Sequence, residues 1–266
     1  LTALVLSTAS ASAFAWSDHA SLLWPMVRAM PELTAPSLRA ETLRAFVDSE
    51  ASGLEALLAE HEAYARESLP DYPARPDALA FRADAGNRRH AFLRAIRVNP
   101  QLGYSLYRQE TVDDAQPADS RATLAFSDLS FLKTGSSHRD VVYHRLQPGA
   151  LVAPAHVIAS GNDEPDFGID IGLFEDNGTA FGREYGFGTQ PFGNPNLDYG
   201  SQAPFHMGFY HLDWLTRTAQ PDLLRTMPEW RVSLFGALSK FAFESGHDYW
   251  GWRFAGWALH YVGDLT

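Results

Sequence analysis

The sequence contains no cysteine among its 266 residues. Disulfides, thiolate metal sites and cysteine nucleophiles are therefore excluded. Any bound metal ion must be held by histidine, aspartate, glutamate or backbone groups, and the ten histidines supply such ligands in quantity. The hydrophobic fraction of 45% and the seven tryptophans are sufficient to fill a substantial core, so the chain is not a disordered protein.

Lysine is nearly absent, and arginine is scattered rather than clustered. The formal net charge is −11, and the sequence shows no basic patch of the kind that holds nucleic acid through its phosphates. This argues only weakly against a nuclease, because bound cations would offset the local negative field. An acidic surface also serves simply to keep a protein soluble.

Beyond residue 15 the sequence has no apolar run long enough to span a membrane. Residues 1–15 read LTALVLSTASASAFA, a short apolar stretch that ends in small residues. This pattern matches the hydrophobic core and A-x-A cleavage site of a secretory signal peptide that lacks its beginning; the alternative is a buried N-terminal helix. We therefore predict a partial signal peptide at residues 1–15 and a secreted or periplasmic protein whose mature chain starts at Trp16.

Apolar residues recur at helical spacing over much of the chain. Helices are predicted over residues 17–30, 36–68, 87–98, 205–218, 230–245 and 248–266. Gly53 is a candidate break in the second of these helices, and Asn87 is a candidate N-cap of the third. Residues 111–161 are polar and then alternating, which indicates strands or extended loops, and the Gly-rich stretch 163–199 indicates a long irregular segment. The predicted fold is mainly α, with a long irregular or partly β middle.

Two candidate metal ligands lie near the end of the chain. His260 and Asp264 are four residues apart in a predicted helix, so they project from the same face. Most such pairs are ordinary surface contacts. The apolar setting WALHYVGD favours burial instead, and a buried carboxylate needs a partner. An imidazole and a carboxylate placed in this way can share one metal ion.

A second pair of candidates lies near the start of the mature chain. Cleavage after residue 15 would give Trp16 a free α-amino group. That amine and the Trp16 carbonyl oxygen can chelate a metal ion in a five-membered ring, and His19 can supply a third donor. The alternative is a tryptophan and a histidine that merely follow a cleavage site.

Two further segments can each supply one ligand. Asp166 belongs to the acidic segment DEPD, and His206 ends the segment APFH. Asp163 is an alternative to Asp166, and His211 is an alternative to His206. Taken alone, neither segment is distinctive, because acidic loops are common and a lone histidine in an apolar setting is more often structural.

Together these segments resemble the zinc-dependent phospholipases C of bacteria and the related single-strand-specific nucleases of fungi and plants. The shared features are a mature chain that begins with tryptophan and soon carries a histidine, a loop carboxylate followed by APFH, and His-x-x-x-Asp within HYVGDLT. The resemblance covers residues 16–30 and about 163–266, and HYVGDLT is its most specific part. It implies a multi-helix bundle of that type, in which residues at about 35–160 form an insertion.

The resemblance also implies a cluster of three zinc ions. One ion would be bound by Trp16, His19 and Asp264. A second would be bound by Asp166, His206, His260 and Asp264, with Asp264 bridging the two ions. The family binds its third ion through residues that follow the position of Thr266, so residues 16–266 are expected to form an incomplete metal-dependent hydrolase domain.

The remaining histidines are assigned other roles. His247 precedes the last helix and is expected to cap it. The histidines in or beside the expected insertion are predicted to have no metal role; they are His61, His90, His138, His144 and His156.

The leading functional expectation is an exported zinc-dependent phosphodiester hydrolase of the phospholipase C type, in which a metal-activated water attacks phosphorus. Asp166 would be either a ligand only or also the base for that water. The first alternative is a single-strand-specific nuclease, with aromatic residues of 181–199 stacking on bases. The second is a non-catalytic exported helical binding protein that has lost its metals. The partner is accordingly a phospholipid or a single-stranded nucleic acid, and the sequence does not fix the oligomeric state.

Overall fold

The computed structural model describes residues 19–112, 123–132 and 141–265. The predicted signal peptide, Trp16 and His138 lie outside the described residues. The described part contains ten α-helices and five short strands, so the prediction of a mainly α fold is confirmed. None of its helices combines the length and the apolar character needed to cross a membrane.

The helices are α1 (His19–Val27), α2 (Pro31–Thr34), α3 (Leu43–Ser49), α4 (Ala51–Ser68), α5 (Arg88–Ala95), α6 (Pro154–Asp163), α7 (Asp198–His206), α8 (Trp214–Ala219), α9 (Pro228–Glu244) and α10 (Asp248–Asp264). The strands are β1 (Leu38–Arg39), β2 (Tyr107–Gln109), β3 (Thr123–Leu124), β4 (Tyr143–Arg145) and β5 (Leu151–Val152). Short 3₁₀ turns lie between them, including Glu164–Phe167 and Glu175–Asn177.

The main hydrophobic core is built around α9 and α10. Gly246 in the turn between them has a φ of 81°, a left-handed conformation that favours glycine. The Phe235 and Trp257 rings meet edge to face at 5.1 Å between centroids. Helices α3, α4 and α5 add Phe46, Leu54 and Phe92 to the same core. The segment at about 35–160, expected as an insertion, therefore shares the core of the helices that follow it.

The strands form two small antiparallel sheets within this segment. β1 pairs with β5, and β4 lies between β2 and β3. The three-stranded sheet packs Tyr107 and Tyr143 against Phe167. The predicted β content is thus present in short form, and the sheet covers the turn that follows α6.

Several helix boundaries differ from the prediction: residues 36–42, predicted as the start of a helix, contain β1 instead, and α3 begins at Leu43. The break within residues 36–68 falls at Glu50, between α3 and α4, and Gly53 lies inside α4. A Cβ atom at Gly53 would lie 2.6 Å from Cζ of Phe241, so this glycine allows α9 to pack closely. The single helix predicted over 205–218 was also wrong: α7 ends at His206, and α8 begins at Trp214 with Asp213 as its N-cap.

The helix α6 was not predicted, because the sequence indicated strands or loops over residues 111–161. Nearly all of its residues are buried, since it lies between α1 and α10. A helix that is covered on all sides has no polar face, so the amphipathic pattern that reveals surface helices is missing.

Two glycines allow α6 and α10 to approach closely. A Cβ atom at Gly161 would lie 2.9 Å from the backbone oxygen of Arg253, and a Cβ atom at Gly256 would lie 2.6 Å from that of Ile158. Neither backbone oxygen can move aside as a flexible side chain would. The crossing therefore requires glycine on both helices.

This contact predicts that Gly256→Ala destabilises the protein by about 1–3 kcal/mol, because the added methyl group forces the helices apart. Gly236→Ala in α9 is the matched control: no atom lies within 4 Å of its Cβ position, and alanine should stabilise the helix by about 1 kcal/mol. Urea unfolding followed by circular dichroism measures both. A Gly256→Ala protein as stable as the wild type would contradict the close crossing.

His247 occupies the N-cap position of α10, but its side chain makes no capping hydrogen bond, so the predicted capping role is wrong. Its ring lies between two carboxylates. Nδ1 is 2.8 Å from Oε2 of Glu41, and Nε2 is 3.2 Å from Oε1 of Glu50. Burial lowers the pKa of His247, but the hydrogen bonds to Glu41 and Glu50 outweigh that effect and raise it. The imidazolium form can donate to both carboxylates at once.

Because the pKa of His247 is raised, its contacts with Glu41 and Glu50 stabilise the fold fully below the unfolded-state pKa of about 6.5. This stabilisation is lost as pH rises through the folded-state pKa. We expect wild type to exceed His247→Gln by about 1 kcal/mol in unfolding free energy at pH 6, and by less at pH 9. The exposed His90→Gln serves as control and should show no such trend. Chemical denaturation at both pH values measures the difference in unfolding free energy. A difference that grows with pH would refute the ion pairs of protonated His247 with Glu41 and Glu50.

Candidate metal centre

Five histidine and aspartate side chains meet at one buried point. His19 begins α1, Asp166 lies in the 3₁₀ turn Glu164–Phe167, His206 ends α7, and His260 and Asp264 lie in the last turns of α10. Each of these side chains is at most 8% exposed. All five were candidate ligands from the sequence, and the fold brings them together.

Local structure explains how α1 and α10 meet at this point. Asp163, at the end of α6, accepts a hydrogen bond of 2.7 Å from the backbone N–H of Ala20 and thereby holds the start of α1. Gly263 lies beside the His19 ring: a Cβ atom there would be 3.2 Å from Nδ1 of His19. The glycine of HYVGD therefore leaves room for a histidine from the other end of the described chain.

One set of ligand atoms consists of Nδ1 of His206, Nε2 of His260, Oδ2 of Asp264 and Oδ1 of Asp166. The two nitrogens are 3.0 Å apart, and they lie 2.9 and 3.2 Å from the Asp264 oxygen. Each nitrogen is 3.8 Å from the Asp166 oxygen. A tetrahedral zinc ion with bonds of about 2.0–2.2 Å separates its ligand atoms by about 3.3–3.6 Å. His206, His260 and Asp264 come close to that spacing, and the Asp166 oxygen lies slightly farther from both nitrogens.

A second set uses the other oxygen of each carboxylate. Nε2 of His19 is 3.2 Å from Oδ1 of Asp264 and 3.8 Å from Oδ2 of Asp166. The rings of His19 and His260 are 4.1 Å apart between centroids, and His19, Asp166 and His260 also form a group of metal-binding geometry. Both carboxylates thus face two ligand sets, whereas the resemblance implied bridging by Asp264 alone.

His260 of α10 and His206 of α7 are oriented by the partners of their second ring nitrogens. Nδ1 of His260 lies 2.7 Å from the backbone oxygen of Asn162 and donates to it, which directs Nε2 at the cluster. Nε2 of His206 lies 3.3 Å from Oδ2 of Asp170, which is fully buried. A ligating histidine supported by a carboxylate or carbonyl is the usual arrangement in metal sites.

Asp170 was not recognised from the sequence. It forms a buried ion pair with Arg231 of α9 and accepts a hydrogen bond from the Tyr261 hydroxyl. Arg231 also donates to the backbone oxygens of Ile96 and Arg97. The only signal in the sequence was its position four residues after Asp166, and nothing local reveals an arginine partner so far along the chain.

Glu164 has a structural role within the same acidic segment. It pairs with Arg253 and accepts a hydrogen bond from the indole N–H of Trp257, both on α10. Removing one partner of a buried pair leaves a charge uncompensated. Glu164 therefore fixes the turn that carries Asp166 against the helix that carries His260 and Asp264.

The cluster is strongly ion-paired as it stands. Burial raises the pKa of Asp264, but hydrogen bonds from His19, His206 and His260 outweigh burial and hold it well below its usual range. Burial lowers the pKa of His206, but Asp170 and Asp264 outweigh burial and raise it to about 10. A metal ion entering the cluster must displace protons from these histidines.

The sequence left two ligand choices open, Asp163 or Asp166 and His206 or His211, and the members of each pair differ in their surroundings. Asp163 is engaged with the start of α1, whereas Asp166 faces the histidines. His211 is exposed in the loop after α7, whereas His206 is buried in the cluster. The geometry therefore favours Asp166 and His206.

The described histidines that were assigned no metal role make other contacts. His61 contacts the Ser233 hydroxyl at 3.1 Å, His144 contacts Glu110 at 2.9 Å, and His156 packs on Trp24. His90 is exposed.

Comparison with known protein families, with curated proteins and with solved structures gave no match to this chain.

The site predicts that His206→Ala lowers zinc affinity by at least about 100-fold, because it removes a ligand and leaves Asp170 and Asp264 without that partner. His211→Ala is the control in the same segment and should bind zinc like the wild type. Competition with a chromophoric chelator measures both dissociation constants. Equal affinities for the two variants would mean that His206 is not a ligand.

Proposed function

We propose that this chain is an exported zinc-dependent phosphodiester hydrolase of the zinc-dependent phospholipase C and single-strand-specific nuclease superfamily, with a phospholipid as its substrate. The observation that supports it most is that Asp166 and Asp264 each direct one oxygen to the His206–His260 pair and the other to His19. Two metal positions that share carboxylates suit the in-line displacement of a phosphodiester.

The donor set fits zinc. It offers imidazole nitrogens and carboxylate oxygens without thiolates, and Nε2 of His260 is oriented by the hydrogen bond of that ring to Asn162. Trp16 would complete the His19 set in the proposed mature chain. A bound zinc ion would lower the pKa of a coordinated water to about 7, and its positive charge would stabilise the phosphoryl oxygens.

The chain's own residues supply positioning and proton transfer. Asp166 is the proposed base, since its carboxylate lies between the two ligand sets and is free of an arginine or lysine partner among the described residues. Asp170 holds the His206 ring, and the Arg231 pair keeps Asp170 ionised. Burial lowers the local dielectric and so strengthens each of these electrostatic contacts.

Burial of three of the aromatic residues in 181–199 favours the phospholipase over the nuclease. Phe181, Tyr185 and Phe187 are 7%, 0% and 4% exposed, so they pack in the core and cannot stack on bases. Phe192 packs on Phe209 at 5.4 Å between centroids. Tyr199 is 43% exposed, so the support for single-strand binding in this segment is reduced but not removed.

The test uses the exported, purified full-length protein, with its zinc content measured by mass spectrometry. We expect phosphatidylcholine to be cleaved into diacylglycerol and phosphocholine. Asp166→Asn should lower the rate by about 100-fold or more, because both a base and a ligand are lost. The exposed Asp222→Asn is the control and should retain full activity.

The other outcomes separate the alternatives. Cleavage of single-stranded DNA but not of phosphatidylcholine would establish the nuclease instead. Stoichiometric zinc with neither substrate cleaved would refute both hydrolase functions, and purified protein without zinc would favour the non-catalytic binding protein.

A further inference from the structure

The buried amide of Gln202 contacts the candidate metal centre and has no part in the roles described so far. Gln202 lies one turn before His206 on α7, so its side chain and the His206 ring share one face of the helix. It is 4% exposed. Its Nε2 donates to Oδ1 of Asp166 at 3.3 Å, the same oxygen that faces His206 and His260.

The other half of this amide is unsatisfied. Oε1 of Gln202 is buried and has no hydrogen-bond partner among the described residues. An unmet buried acceptor costs about 1–3 kcal/mol. If Gln202 served only to fill space, an apolar residue of the same shape would be equally good or better for stability. Its amide is therefore better explained by the carboxylate that it holds.

Asp166 is the carboxylate that most needs such support. Asp163, Glu164 and Asp170 are held by the Ala20 N–H, by Arg253 and by Arg231 respectively. Among residues 19–112, 123–132 and 141–265, the Gln202 amide is the one hydrogen-bond donor to Asp166, because the nearest histidine nitrogens are 3.8 Å from its oxygens. An amide donor orients a carboxylate without neutralising it, which leaves the negative charge available to a cation.

We propose that Gln202 is a positioning residue for Asp166: its Nε2 holds Oδ1 toward the His206–His260 pair and so leaves Oδ2 toward His19. The proposal rests on the proposed function, because it assigns Gln202 to the same metal centre. It adds a residue that neither the motifs nor the resemblance singled out. Both α7 groups at the centre, the His206 ring and the Gln202 amide, then act on one metal set.

The test compares zinc and cobalt(II) binding to wild type and to Gln202→Met, which keeps the unbranched shape and removes the donor. We expect the zinc dissociation constant of Gln202→Met to be about 10- to 100-fold higher, which is the usual effect of losing a group that orients a ligand. The visible spectrum of the cobalt(II) form should change, and the metal-free variant should unfold at the same or a higher urea concentration. Gln109→Met is the matched control: Gln109 is 6% exposed, also has a buried unpartnered Oε1, and lies on β2.

Three outcomes would overturn the proposal. They are wild-type zinc affinity in Gln202→Met, an equal loss of affinity in Gln109→Met, or an unchanged cobalt(II) spectrum. If Gln202→Met does not fold, side-chain amide NMR of the wild-type protein replaces it: the Gln202 amide signals should shift on zinc addition while those of Gln109 stay, and an unmoved Gln202 signal refutes the role.

The same measurements separate this inference from the proposed function. Wild type that binds zinc, with Gln202→Met binding equally well, overturns the Gln202 role alone. Wild type that binds no zinc overturns the metal centre first, and the Gln202 role with it.

Discussion

Burial of four carboxylates within residues 163–170 is the constraint on which the rest of the structure depends. A buried carboxylate is costly unless it is paired and hydrogen-bonded, so each one must recruit a partner from another element. Asp163 accepts a hydrogen bond from α1, Glu164 pairs with an arginine of α10, and Asp170 contacts an arginine of α9 and a histidine of α7. The helices around this short segment are thereby oriented by electrostatic needs as well as by apolar packing. Asp166 alone is left with histidines and an amide, and the candidate metal centre forms around it.

The parts of the site that could be predicted from sequence are those that depend on local geometry. The spacing of His260 and Asp264 fixes them on one helix face whatever the fold, and the same holds for the N-cap role of Asn87. The candidate ligands His19, Asp166 and His206 came from their sequence contexts, and it is the fold that shows them converging.

The parts that could not be predicted depend on contacts between distant segments. The helix α6 is buried on all sides and so has no amphipathic signature. Gly53 resembles a helix breaker, although it is a contact point for Phe241. The pairing of Asp170 with Arg231 and the contact of Gln202 with Asp166 are invisible until the chain is folded. In each case a residue's role is set by a partner that no local pattern specifies.

The contact between His19 and Asp264 joins residues near the two ends of the described chain. A tie between such distant points closes a very long loop, and the entropy of the unfolded chain falls most when long loops are closed. A metal ion held there would therefore stabilise the whole fold in addition to any local chemical role. Helix α1 packs with α2 and α6 in a small hydrophobic cluster separate from the main core. Such an ion would bind α1 to α10 in addition to the packing of α1 on α6.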